Sequence, residues 1–166
     1  MAHPYPPHSA HLPYTGNHHY FLTFCTDQRH RIFLEESSVS LVRTQILRAA
    51  RERRFEISAY CFMPDHLHLI ASGCDESSEA KTFIKVSKQY SGYYFAKERG
   101  HRLWQRYGYE RVIRDDAELA LSVGYIVANP VRAGLVSHPA EYPYLGSEVY
   151  TLADLLLMCA YGRSIV

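Results

Sequence analysis

The chain has 166 residues, of which 47% are hydrophobic and 21% charged, values that suit one soluble domain with its own core. A formal net charge of +1 supplies no global attraction to nucleic acid, so any such role must rest on local clusters. The four cysteines (Cys25, Cys61, Cys74, Cys159) form no CxxC pair, which argues against a zinc ribbon or disulfide framework; no run reaches the ~18 apolar residues of a membrane span, and a soluble cytoplasmic protein is expected.

Residues 1–17 carry four prolines and three histidines without periodicity and read as a flexible arm. The β-rich stretch 18–26 is the first strand. Ser37 or Ser38 can cap a helix running to about Arg53, with Val39, Val42, Ile46, Ala49 and Ala50 as its buried stripe. Residues 55–63 form a second strand, Pro64 and Asp65 a turn, and 66–72 a third strand. Ser77 or Ser78 opens a long helix that stops at Gly100, with Phe83, Ile84, Ser87, Tyr90, Tyr94 and Phe95 inward and Lys81, Lys85 and Lys88 on another face. A short fourth strand spans 109–114. Asp115 with Glu118 resembles a capping box for a helix over 116–128, which Pro130 terminates. The apolar run 152–159 is one more helix, packed on the domain or serving as a homodimer contact. The predicted organisation is an arm (1–17), a main domain (18–146) and a helical extension (147–166).

This order predicts an α+β fold: a ferredoxin-like four-stranded antiparallel sheet with two helices on one face and an additional helix on the other. Side chains alternate along a strand, so Leu67 and Leu69 face the two helices while His66 and His68 share the opposite face. Tyr125 and Asn129, four apart, lie one turn apart on one helix face. Two imidazoles, an amide and a phenol can then meet around one divalent cation. Mixed nitrogen and oxygen ligation without thiolate favours Mn²⁺ or Mg²⁺, although the histidines alone suit Zn²⁺ equally.

The string HLH at 66–68, followed by LWQRYGYERVIR at 103–114 and YIVANPVRAGLV at 125–136, resembles the HUH single-tyrosine transposases of insertion sequences, and among them the REP-associated branch. HxH alone is common on solvated strands, and the ordered combination carries the resemblance. It implies a metal-dependent endonuclease and strand transferase acting on single-stranded or hairpin DNA. Tyr125 is the implied nucleophile, forming a 5′-phosphotyrosine link, with His66, His68 and Asn129 as the metal ligands. The implied partner is a DNA hairpin with a single-stranded flank.

A phenol, which ionises near pH ~10, needs a metal or base to attack at neutral pH. Lys81, Lys85, Lys88, Arg106, Arg111, Arg114 and Arg132 are the expected DNA contacts, with Arg99 and Arg102 in the same basic cluster. Trp104 stacks a base or belongs to the core. Gly124 permits close approach of DNA, movement of Tyr125, or helix packing. Asp65 is given no role. The competing reading is a catalytically silent module binding hairpin DNA or structured RNA; a zinc hydrolase lacks its usual third His and general-base Glu.

Overall fold

The computed structural model describes residues 13–163. A five-stranded antiparallel sheet, in the order β4-β1-β3-β2-β5, is built from β1 (His19–Cys25), β2 (Phe55–Met63), β3 (His66–Gly73), β4 (Tyr109–Ile113) and β5 (Leu145–Gly146). Helices α1 (Glu36–Glu52) and α2 (Ala80–Arg99) cover one face, and α3 (Asp116–Arg132) with α4 (Leu152–Arg163) cover the other. The expected four-stranded sheet therefore gains β5, which pairs with β2 beyond the sequence signal because it is only two residues long. Among the described residues no helix is long and apolar enough to cross a membrane.

Each face of the sheet has its own core. Leu22, Phe24, Leu67, Leu69 and Ala71 pack against α1 and α2, while Phe21, Ile70, Cys61 and Met63 pack against α3 and α4. A bulge between Ile57 and Ala59 re-phases β2. Phe55 and Ile57 face the first core, and after the bulge Ala59, Cys61 and Met63 face the second. One extra residue inverts the alternation, which pattern reading alone does not foresee.

The α1 stripe is as expected, but neither serine caps that helix: Glu35 occupies the cap and Ser38 is buried in the first turn. Glu79, rather than Ser77 or Ser78, caps α2 by accepting from the Lys81 and Thr82 amides. Ser78 instead donates to the Arg54 carbonyl and accepts from the Cys74 and Asp75 amides, tying the β2 and β3 ends together. Of the predicted inner face of α2, Phe83, Ser87 and Phe95 are buried, whereas Tyr94 is exposed. Gly100 ends α2 in the left-handed conformation, φ 80°, which a residue without Cβ adopts readily.

Asp115 caps α3 as expected, but Glu118 reaches back to the Arg114 amide instead of completing the box. The predicted stop at Pro130 is corrected. The helix continues to Arg132 because Pro130 falls in the last turn, where the Ala133, Gly134 and Leu135 amides satisfy the carbonyls of Asn129, Val131 and Pro130. Pro130 is itself buried. Within the predicted arm, residues 1–12 lie outside the described residues. Residues 13–17 pack on the domain: Thr15 bridges Glu79, the Tyr14 hydroxyl donates to Glu110, and Tyr20 donates to the Pro13 carbonyl.

Candidate active site

The two-residue turn between β2 and β3 fixes where the imidazoles begin. Pro64 and Asp65 offer their carbonyls to the Phe33 and Thr26 amides, so the hairpin end is clamped to the segment following β1. From there His66 and His68 project to the α3 face. Their Cα atoms are about 7 Å apart along a strand, yet the rings turn toward each other and bring the two Nε2 atoms to 3.1 Å.

Each Nδ1 is held from behind. His66 Nδ1 meets Asp65 Oδ1 at 2.6 Å, and His68 Nδ1 meets Thr23 Oγ1 at 2.8 Å. A carboxylate only accepts, so His66 carries its proton on Nδ1 and presents a lone pair at Nε2. A hydroxyl both donates and accepts. Thr23 can therefore keep its bond whether His68 presents Nε2–H to His66 or a second lone pair to a cation.

Asp65, given no role from the sequence, is thus the hydrogen-bond partner of His66. It is further gripped by Arg29 Nε at 2.9 Å. Burial pushes its carboxyl up, but the His66 hydrogen bond and the Arg29 charge outweigh this and hold it below the usual range. Burial lowers the pKa of His66, and with the neighbouring His66 charge it lowers that of His68 to about 3. Both rings are neutral near pH 7, the form that ligates metal. Two neutral rings with outward-tethered Nδ1 atoms and convergent Nε2 atoms fit a divalent cation, with oxygen ligands left to supply. Among the described residues no group of three His, Cys, Asp or Glu gathers at one point.

Helix α3 brings Tyr125 to this point. Leu119, Val123, Ile126 and Val127 seat the helix on the second core, leaving Tyr125 42% exposed on the flank nearest β1. Its ring centroid lies 5.9 Å from that of His68 and 6.0 Å from that of Phe21. Arg132, two turns later, places its guanidinium carbon 5.3 Å from the Tyr125 ring centroid. Asn129 lies between them on the same helix, half-buried. Gly124 serves helix packing: a Cβ there would stand 3.2 Å from the Met158 carbonyl oxygen and 3.3 Å from Cys159 Cα, so α4 rests on it. The C-terminal run is accordingly a helix packed on its own domain.

Beside Tyr125 opens a cleft of about 510 Å³ lined by Phe21, Thr23, His68, Tyr109, Arg111 and Ser122, among others. Arg111 crosses from β4 to α3, paired with Glu118, and its Nη2 donates to Ser122 Oγ at 3.2 Å. Arg114 shares Glu118 but is largely in solvent. The remaining expected DNA contacts do not gather here. Lys81 lies over the Tyr14 ring, Lys85 is exposed on the same helix, and that helix covers the other sheet face. Lys88 is drawn inward, its Nζ donating to the Gln105 and Arg106 carbonyls. Arg106 lies by the Tyr107 ring, and Arg99 pairs with Glu35. Trp104 is core, donating to Ser91 Oγ at 2.8 Å. The residues that sequence reading missed are Thr23, 45 positions from its partner, and Asp65 with Arg29.

A family model described as IS200-like transposase matches residues 14–128. A Haemophilus influenzae protein assigned to the REP-associated tyrosine transposases is 29% identical over 136 residues, 75% of this chain and 77% of that protein. A REP-associated tyrosine transposase of Escherichia coli is 30% identical over 107 residues, 63% of this chain and 61% of its own length. In fold, the chain is similar to a REP-associated tyrosine transposase solved bound to a REP hairpin, with TM-score 0.70 and 24% identity over 82% of this chain and 81% of that one. A Deinococcus radiodurans protein described as a transposase aligns with TM-score 0.51 and 19% identity over 75% of this chain and 97% of that one. The HLH string and the later tyrosine motif thus fall in a chain whose named relatives are REP-associated, and the chain belongs to the IS200-like transposase family.

Proposed function

We propose that this protein is a cytoplasmic transposase that nicks and rejoins single-stranded DNA flanking a hairpin, with Tyr125 as nucleophile and one divalent cation, Mg²⁺ or Mn²⁺, held by His66, His68 and Asn129. The observation that carries the reading is the convergence of the two Nε2 atoms, 3.1 Å apart, beside the exposed Tyr125 ring. The fold's likeness to a transposase bound to a REP hairpin supports a hairpin as the substrate, and the layout supports a ferredoxin-like sheet carrying the site.

The cation, when bound, supplies a Lewis acid for the charge that develops on the scissile phosphate. The chain's own groups do the rest. Asp65 and Thr23 orient the imidazoles, and α3 holds the Tyr125 ring beside that of His68. Tyr125 Oη attacks phosphorus, a phosphorus–Oη bond forms, the bond to the 3′-oxygen breaks, and the phenol's proton ends on the departing 3′-hydroxyl. A second 3′-hydroxyl reverses the step, so no nucleotide cofactor is required. In this reading Arg132 over the Tyr125 ring would offset phosphate charge, as would Arg111 on the cleft wall once drawn from Glu118. Lys81 and Lys85, on the other side of the sheet, would touch DNA only where it wraps that side.

Tyr125→Phe removes the hydroxyl alone and keeps the ring. Wild-type protein with Mn²⁺ and hairpin DNA should give a slow-migrating covalent adduct on a denaturing gel, and the variant none, with hairpin binding preserved. An adduct that persists in the variant moves the nucleophile elsewhere. No adduct from either protein on DNA that both bind favours the silent binding module.

A further inference from the structure

A strained turn stands beside the imidazole pair. Between β1 and α1 the residues Asp27–Arg29 hold two successive positions in the left-handed region, Gln28 with φ 51° and Arg29 with φ 59°. Neither is glycine, asparagine or aspartate, the residues that adopt this conformation readily. The turn is nonetheless firmly held. The Arg29 amide donates to the Thr26 carbonyl at 3.0 Å, the His30 amide to the Asp27 carbonyl at 3.1 Å, and the Asp27 amide to the Leu103 carbonyl at 2.7 Å. Thr26 is fully buried, with its Oγ1 2.7 Å from the His30 carbonyl oxygen and 2.8 Å from that of Asp65.

What the turn delivers is the Arg29 side chain. Its Nε donates to Asp65 Oδ2 at 2.9 Å and its Nη1 to Cys25 Sγ at 2.8 Å. Cys25 is buried and stands opposite His66 in the β1–β3 register, so it anchors the guanidinium on the face that carries the imidazoles. The other carboxylate oxygen, Asp65 Oδ1, is the one that meets His66 Nδ1. Thr26 holds the backbone of the same residue, its amide donating to the Asp65 carbonyl at 3.0 Å. Main chain and carboxylate of Asp65 are thus both fixed from one turn.

Stability does not account for this arrangement. The Arg29 side chain is 48% exposed and that of Asp65 24%, and an ion pair so open to water adds little to folding. Backbone strain that folding does not require gathers at functional positions. Direct attraction does not account for it either, since a guanidinium beside the histidine pair repels a cation. Any favourable effect of Arg29 on that cation has to pass through Asp65.

We infer that Arg29 is a positioning residue of the cation site: it holds the Asp65 carboxylate in the rotation that keeps the His66 proton on Nδ1 and the Nε2 lone pair toward the cation. The inference rests on the metal reading proposed above and adds the group that sets His66. The two imidazoles are tethered differently. Thr23 is part of β1 and its hydroxyl faces His68 directly, whereas Asp65 sits in a two-residue turn, where its carboxylate needs a second group to fix its rotation. A guanidinium suits that task because its planar fork reaches Asp65 and Cys25 at once, which an ammonium on a flexible stem does not reproduce.

Arg29→Gly removes the side chain and suits the left-handed backbone, so Tm should change little. Calorimetric titration of the metal-free variant with Mn²⁺ should show affinity lower by about tenfold or more. Arg29→Lys keeps the charge without the fork and should lose affinity likewise, which gives the same reading should the glycine variant not fold. In an Asp65→Asn background Arg29→Gly should weaken Mn²⁺ binding no further, because the route through Asp65 is already cut. Wild-type or tighter Mn²⁺ affinity in the Arg29 variants overturns the inference, whatever happens to Tm, as does a loss of the same size in the Asp65→Asn background. Wild-type protein that binds no Mn²⁺, or a His66→Ala variant that binds it as well as wild type, overturns the metal reading beneath it.

Discussion

Thr23→Val is the most telling perturbation of the imidazole pair. It keeps the β-branched shape and removes only the hydroxyl that meets His68 Nδ1 at 2.8 Å. His68 is 8% exposed, so the ring nitrogen loses that partner in a place water scarcely reaches. An unsatisfied buried group costs about 1–3 kcal/mol, of which the added methyl recovers part. The net loss of about 1–2 kcal/mol should lower Tm by about 2–8 °C in a domain of this size. The larger effect falls on the cation. Without its tether the ring is free in tautomer and rotation, and outer-shell losses of this kind weaken metal binding about 10–100-fold. Calorimetric titration of the metal-free protein with Mn²⁺ reads this directly, and Thr23→Ser, which retains the hydroxyl, should bind as the wild type does. If Thr23→Val lowers Tm but binds Mn²⁺ indistinguishably from wild type, Thr23 only satisfies a buried ring and the orienting role is refuted.

Gly124→Val should destabilise the protein by about 1–3 kcal/mol, because even a Cβ there approaches the Met158 carbonyl to 3.2 Å and two further methyls force α4 outward; an unchanged urea midpoint would show that α4 yields without cost. Acidification should unfold the metal-free protein ahead of its carboxylates. The folded-state pKa of His68 is lowered from 6.5 to about 3, so the unfolded chain binds more protons between those values. Stability is then fully present above about pH 6.5 and falls by on the order of a few kcal/mol as pH drops toward 3. The Asp65 carboxylate, itself held low, adds its loss only below its usual value of 3.8. His68→Gln should flatten the profile between pH 4 and 6.5, read by thermal unfolding across buffers, and a profile as steep as that of the wild type would assign the titration to another group.

Local stereochemistry made much of the site legible. Alternation along 66–72 placed Leu67 and Leu69 against the helices and both imidazoles on the far face, and helical spacing aligned Tyr125 with Asn129. The apolar stripe of α1 was readable for the same reason, since a 3.6-residue period depends only on near neighbours. Only tertiary structure decided the rest. Thr23 faces His68 because the β1 and β3 register sets them opposite each other across 45 residues, and no local pattern encodes a register. The bulge at Ser58, the seating of α4 on Gly124 and the turning of Glu118 to Arg111 are likewise choices among partners brought together by packing. In an unbroken strand or helix local spacing sets which face a side chain leaves by; bulges, and what waits on each face, are set by the elements that fold together.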